Sequence, residues 1–506
     1  MALVPTHEIT SPAQGSQQIY NGMDSLLTYE IFEALEPMAP SAQHTYNFER
    51  ALQGPVLEMM LRGFRIDPFA REQGIDKTKI ELARVDHILD SLVRSIWDKG
   101  LNPNSGPQLK DLFYATMGLP EIHKSVKGES KTPMDRDTLE KLEVYFLARP
   151  IVKAILARRD LAKQIQVLET QVDRDWRMRA SFNIAGTDTG RFSSSKSPER
   201  TGTNLQNISE KLRFIFRADP GYKLYGIDLE QAESREVGLI CGLLFNDWTY
   251  LDATESGDLH TTVCKMVWSG LGWTGDAKAD RKIADQPFYR EHSYRDIAKK
   301  LGHGSSYMGK PYTMSMHARI PVSLCEEFQH KFFSAFPCIP RWHHWVASEI
   351  QTTKCLTNVF GHTRDFFDRT NSDKTLRGAV AHMPQSATAQ RLNLGMWRLW
   401  RHYPQAKLLT QLHDAVYFQV PDTVPEKEVA RKALALIEIP MILPNGRHFT
   451  IPGECKVGLN WGRVTQAHEW SYREEKCIHC GASKAEGKTQ KCVTRNPDGM
   501  RKVVFN

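Results

Sequence analysis

Three acidic residues stand where a chain can hold divalent metal ions. Asp228 lies at the end of the apolar run Tyr222–Leu229 (YKLYGIDL), Glu233 follows five residues later, and Asp414 interrupts Lys407–Val420 (KLLTQLHDAVYFQV) between two apolar halves. Both runs read as buried strands, the second folded into a hairpin. Strand ends and tight hairpins hold a side chain rigidly, as a metal-binding carboxylate requires. If the strands are neighbours, Asp228 and Asp414 can share two Mg²⁺ ions about 4 Å apart. One ion would lower the pKa of an attacking hydroxyl and the other would neutralise charge on a departing pyrophosphate. Taken alone, an acid at a strand end is more often a cap or turn residue.

Arg295 to Gly309 (RDIAKKLGHGSSYMG) strengthens the case. Arg295, Lys299, His303 and Tyr307 recur every four residues, a spacing that keeps side chains near one helix face over roughly 18 Å. Two cations, an imidazole and a phenol in one row suit a nucleoside triphosphate, with the cations on the phosphates and the ring by the sugar and base. A basic surface helix would explain the cations but not Tyr307. Nor would it explain Gly302, Gly304 and Gly309, each costing about 1 kcal/mol inside a helix. Glycine there suggests close backbone approach or a bend.

Three further groups are weaker singly. Thr187–Ser194 (TDTGRFSS) and Asn204–Ile208 (NLQNI) place Arg191, Asn204 and Gln206 on a polar loop, suited to the minor-groove acceptors of a duplex. Asp258-Leu259-His260 brings a second imidazole, and Arg377 and Gln385 can line a template groove.

The elements that must position these groups follow from pattern. A helix is expected from Asp24 to Leu35 after an unstructured start at 1–18, a β phrase at 63–67, and helices over about 72–178 with a break at Pro150. Lys153, Arg158, Arg159 and Lys163 in that region can track a phosphate backbone or simply face water. Helix-like segments fill 230–350 and 425–437, and 469–506 reads as a polar, basic appended tail. A length of 506 residues implies several lobes. Lys plus Arg number 66 against 59 acids, which permits a polyanionic partner without demanding one. No run of 18 apolar residues and no leader pattern occurs, so an intracellular, cytoplasmic site is expected, with no membrane partner. Six of the nine cysteines are scattered, as reduced core residues are. Cys477, Cys480 and Cys492 cluster, and with His468 or His479 they form a candidate structural zinc knuckle.

In order, these pieces resemble family A DNA polymerases, the DNA polymerase I type. Asp228, Gln231, Glu233 and Arg235 match its DxxQxExR motif, Arg295, Lys299 and Tyr307 its RxxxKxxxxxxxY motif, and Gln411-Leu412-His413-Asp414 its QxHD motif. TGRFSS, NLQNI, Asp258 to His260, and Asn460-Trp461 before Gln466-Ala467-His468 also match, over roughly residues 55–468. The resemblance implies a multidomain α/β (α+β) right hand with a palm sheet and helical fingers and thumb. It divides the chain into a start with an exonuclease-domain remnant or docking helix (1–54), thumb (55–180), palm (181–257 and 336–468), fingers (258–335) and the tail (469–506). It implies metal binding by Asp228 and Asp414. Gln231, Glu233, His260, Arg295, Lys299, His303 and Tyr307 would bind the nucleotide, with Glu233 excluding a ribose 2′-hydroxyl. Arg191, Asn204, Gln206, Arg377, Gln385 and His413 would contact DNA.

The chain departs from the family in places. Ala415 stands where a Glu is usual, His303 where Phe or Tyr is common, and Glu230 where Ser is frequent. Tyr20 and Asp24 match the YxxxD phrase that ends the family's 3′–5′ exonuclease domain, but no upstream residues supply its other carboxylates. The expectation is therefore a polymerase that extends primer–template DNA with dNTPs, without its own proofreading. Its partners would include a separate exonuclease chain, a helicase or a clamp, and the compactness suggests a phage replisome. Rival readings are an RNA polymerase or primase on the same hand, a non-catalytic primer–template-binding subunit, and a metal-dependent nuclease. Glu233 opposes the first rival, the retained Asp pair the second and the cation row the third.

Overall fold

The structure, a computed structural model, describes residues 12–38, 43–126, 129–290, 292–464 and 496–505. Its centre is a five-stranded antiparallel sheet. The spatial order is Lys407–Leu412, Ala415–Pro421, Tyr222–Leu229, Gly453–Gly458 and Arg501–Lys502. Tyr222–Leu229 is in the middle, as its near-continuous apolar sequence requires of a strand covered on both faces. Tyr225 and Phe418 are register partners and stack with ring centroids 5.7 Å apart. Because side chains alternate across a sheet, Asp228 shares its face with its two direct neighbours, Ala415 and Glu454. Two residues earlier Gly226 stands opposite Tyr417, whose Cε1 would lie 2.6 Å from a Cβ at that position, so glycine makes room for the tyrosine.

Three buried clusters organise the described residues. One joins the sheet to the helices Asp373–His402 and Glu426–Ile437 through Leu392, Met396, Leu399, Val429 and Ala433. At its edge Phe64, Phe216 and Trp461 pack ring against ring at 5.2–5.4 Å, tying the small sheet of Phe64–Ile66, Arg177–Met178 and Phe216–Arg217 to the main body. The second cluster is helical and runs from Val237 to Met383, wider than the 258–335 interval expected for one lobe. The third gathers Leu89, Val93, Phe113, Leu139 and Ile155 from the helices Pro68–Arg94, Arg136–Leu142 and Ala148–Leu168 and the segment between them. Asp67 caps the first of these helices by accepting from the Ala70 N–H at 3.0 Å. Pro150 falls in the first turn of the last, where a missing N–H is harmless, so the break expected there is the loop at 143–147.

Several expectations are corrected. The helix expected from Asp24 starts at Pro12, inside the stretch expected to be unstructured. Arg158 pairs with Asp86 at 3.0 Å, and Arg159 donates to the carbonyls of Pro103 and Met134, so these two cations hold the helical cluster together. The end of the chain is not an appendage: Arg501–Lys502 adds the fifth strand, with Lys502 opposite Lys456 and bridged to Glu454 at 3.0 Å. Cys477, Cys480, Cys492, His468 and His479 lie outside the described residues. Among the described residues no helix is long and apolar enough to cross a membrane.

Candidate active site

Antiparallel pairing of Tyr222–Leu229 with Ala415–Pro421 sets Asp228 opposite Ala415, and the Leu229 N–H donates to the Asp414 carbonyl at 3.1 Å. Asp228 therefore sits on the central strand beside Asp414, which lies in the hairpin turn between Lys407–Leu412 and Ala415–Pro421. Each has a non-glycine residue in the left-handed region close by: His413, immediately before Asp414, at φ +54°, and Gln231, which starts the helix Ala232–Phe245, also at φ +54°. Such conformations cost about 1–3 kcal/mol and concentrate at functional sites. Burial, together with the nearby Asp414 carboxylate, pushes the Asp228 carboxyl up to about 6. Burial also raises Asp414, assisted by the charge of Glu233. Among the described residues neither is in an ion pair, and no group of three or more His, Cys, Asp or Glu side chains has metal-holding geometry. The pair thus has no directly bonded cation, and a divalent ion would relieve the strain of two buried carboxylates side by side.

Two cavities meet at this pair. A large one of about 1060 Å³ is lined by Gln231, Glu233, His260, Lys299, His303 and Tyr307, and reaches Asp414. A small one of about 170 Å³ is lined by Asp228, His413 and Asp414 with Arg213, Lys456 and Trp461 among others. Asp414 borders both.

The helix Tyr294–Ser306 forms one wall of the large cavity. Ser293 and Asp296 close a reciprocal capping box at its start, which fixes where the row begins. The helix ends at Ser306, one residue before Tyr307, because the Gly309 N–H bonds the Gly304 carbonyl at 2.7 Å and turns the chain. Tyr307 nevertheless stays beside His303, ring centroids 4.8 Å apart. A Cβ at Gly304 would meet Met314 Sδ at 2.6 Å, and one at Gly309 would meet the Gly304 carbonyl oxygen at 2.7 Å. Gly302 has space, its nearest neighbour being Phe332 at 3.7 Å, and nothing in the structure requires glycine there.

Glu233 is held from two sides. The Tyr307 hydroxyl donates to Oε2 at 2.6 Å and Arg191 Nη2 donates to Oε1. Burial, then the Glu233 charge, raises the Tyr307 phenol well above its ordinary value, so it stays a donor. Arg295 is engaged by Asp258 through Nε at 2.6 Å and Nη2 at 2.9 Å, and Arg281 reaches the same carboxylate at 3.3 Å. Against the push of burial, the bonds from Arg295 and Thr261 hold Asp258 far below the usual carboxylate range. Burial pushes His260 down to about 4, so it is neutral at physiological pH. Gln231 Nε2 donates to the Gly257 carbonyl at 3.0 Å, while its Oε1 is buried without a donor.

The amide groups form a relay. Gln206 Nε2 approaches Gln411 Oε1 at 3.5 Å, Gln411 Nε2 donates to Asn393 Oδ1 at 3.4 Å, and Asn393 Nδ2 to the Gly190 carbonyl at 3.2 Å. Asn204 caps the short helix at Leu205–Asn207. Gln385 and Arg377 are both on Asp373–His402, and Arg377 pairs with Asp373 at 3.3 Å; neither lines either cavity, nor do Arg191, Asn204, Gln206 and Arg295. Arg213, Lys456 and Arg463 were missed in the sequence because they come from separate segments without a shared motif.

A model of DNA polymerase family A matches residues 73–463, most of the chain and all of both cavities except Met500. The chain belongs to DNA polymerase family A. This family A chain is 26% identical over 438 residues to the thermostable DNA polymerase I of Thermus aquaticus, covering 82% of the chain and 47% of that protein. It is 26% identical over 395 residues to DNA polymerase I of Helicobacter pylori strain J99, covering 74% and 39%. The chain spans about half the length or less of these curated relatives. Its fold is similar to the polymerase domain of Pol1 from M. smegmatis, solved in complex with DNA primer–template and dNTP. The TM-score is 0.65 at 20% identity, covering 81% of this chain and 70% of that one.

Proposed function

We propose that this family A chain is a template-directed DNA polymerase that extends a primer 3′ end with dNTPs. The observation that carries this reading is Asp414 at the junction of a nucleotide-sized cavity and a second, smaller one beside Asp228. The names of the relatives and the primer–template and dNTP bound by the M. smegmatis domain support it.

In this reading Asp228 and Asp414 hold two Mg²⁺ ions. When bound, these supply Lewis acidity at the primer hydroxyl and charge neutralisation at the pyrophosphate. Lys299 and Arg295 take the triphosphate, His260 donates a hydrogen bond to it, and His303 and Tyr307 pack at the sugar and base. Glu233, fixed by Arg191 and Tyr307, occupies the space a ribose 2′-hydroxyl needs. Arg191, Asn204, Gln206 and His413 contact DNA, and Arg377 and Gln385 line the template groove. We assign thumb to 55–180, palm to 181–257 and 336–468, and fingers to 258–335. Structural zinc at Cys477, Cys480 and Cys492 remains part of the proposal for the tail.

The test is extension of a labelled primer on a longer template with Mg²⁺, supplying dNTPs or NTPs. Extension with dNTPs alone supports the reading. Extension with NTPs alone, or tight primer–template binding without extension, overturns it.

A further inference from the structure

The small cavity beside Asp228 has its own chemistry. Its volume of about 170 Å³ is well below the roughly 300–1,000 Å³ of pockets that enclose a whole small ligand. It therefore suits one group of a longer chain lying across it. Three cations line it: Arg213, Lys456 and Arg463. Lys456 is 2.8 Å from Glu454 and Arg463 is 2.8 Å from Glu210, so their charges are partly balanced.

Arg213 differs. Its guanidinium lies over the Trp461 ring, 4.6 Å from the centroid, and its Nε donates to the Ile208 carbonyl at 3.4 Å. Among the described residues no carboxylate pairs with it, so both terminal nitrogens keep free donors. Trp461 is 2% exposed, lines the same cavity, and its buried indole N–H has no acceptor among the described residues. A fork-shaped cation held over an aromatic ring, in a cavity that Lys456 also lines along with the carboxylates of Glu210, Asp228 and Asp414, suits a phosphate diester.

The position selects which diester. Asp414 borders both cavities, so a nucleotide in the large one and a strand end in the small one meet at the carboxylate pair. We propose that Arg213, with Lys456 as the second cation, grips the last internucleotide phosphate of the primer and so fixes the 3′-hydroxyl against Asp228. This rests on the polymerase reading. The gain is positional, since reacting atoms held in place need no orientation at the moment of reaction.

The test uses primers carrying one uncharged methylphosphonate linkage, either at the last position or far back in the duplex, with single-nucleotide incorporation as readout. Wild-type protein is expected to lose about tenfold in kcat/KM for primer–template when the last linkage is neutral, the order expected for one charge-assisted contact. The distant linkage should matter little. Arg213→Gln should lose about as much on the natural primer and nothing more on the neutral one, with the KM for dNTP unchanged. Arg213→Lys, which keeps the charge and loses the fork, repeats the comparison if Arg213→Gln does not fold. Indifference of the wild type to the last linkage, or losses that multiply in the variant, overturns the assignment while leaving the polymerase reading intact. Failure of the wild type to extend the natural primer overturns both.

Discussion

The Tyr307 hydroxyl donates to Glu233 Oε2 at 2.6 Å, and the second oxygen of the same carboxylate is taken by Arg191. One residue from the loop, one from the helix after the central strand and one just past the helix Tyr294–Ser306 are thereby locked together, with Glu233 and Tyr307 lining the large cavity. Glu233→Ala removes the bulk and both tethers. It is expected to raise NTP use relative to dNTP use by about 100-fold, close to 3 kcal/mol. Glu233→Gln keeps the bulk and should shift the ratio less than about tenfold. Competing NTP and dNTP incorporation measures both. An unchanged ratio in Glu233→Ala would remove the sugar-gate role.

Asp258 is expected to act through Arg295. Its two bonds occupy Nε and Nη2 of Arg295 and fix the direction of the guanidinium. Asp258→Asn should raise the KM for dNTP about tenfold with a smaller change in kcat, as expected when an aimed charge is released. An equal loss in kcat alone would instead place Asp258 in the chemical step.

Much of this was legible in the sequence. Tyr222–Leu229 and the hairpin around Asp414 were read correctly because both are apolar runs whose polar interruptions fall at the strand end and turn. The row Arg295, Lys299 and His303 was legible from helical spacing and its glycines. What failed depended on partners far away in sequence. Arg501–Lys502 is a polar dipeptide that becomes a strand by pairing with Lys456 and Val457, with Lys502 bridged to Glu454. The cations at 213, 456 and 463 converge only through the sheet.

A stability prediction concerns Arg391 and Glu236, an ion pair with both side chains 0% exposed and Nε to Oε1 at 2.8 Å. Arg391 also donates to the Ile439 carbonyl at 2.7 Å and lies 5.0 and 5.1 Å from the Phe360 and Phe449 ring centroids. Glu236→Ala strands the cation and should cost about 3–5 kcal/mol. Joint replacement by Leu at 236 and Met at 391 should cost much less. Urea unfolding gives both numbers.

Without metal, the Asp228 carboxyl has a folded pKa of about 6 against an ordinary 3.8. The folded state then binds more protons than the unfolded chain between those values. Its contribution makes stability fall as pH rises from about 4 to about 6 and level off above. Asp228→Asn should flatten that part of the profile in EDTA. Mg²⁺ should stabilise the wild type at pH 7 more than at pH 4. A profile unchanged by the substitution would show that Asp228 is not the group responsible.

The central claim is that Asp228 and Asp414 together carry nucleotidyl transfer. Single-turnover incorporation of one dNTP into a primer–template with Mg²⁺ tests it most directly, comparing wild type with Asp228→Asn and Asp414→Asn after circular dichroism shows all three folded. The account predicts rapid incorporation by the wild type and a loss of at least about 1,000-fold in each variant, close to 4 kcal/mol of transition-state stabilisation, with primer–template affinity retained. Incorporation that survives either substitution at near wild-type rate would contradict it.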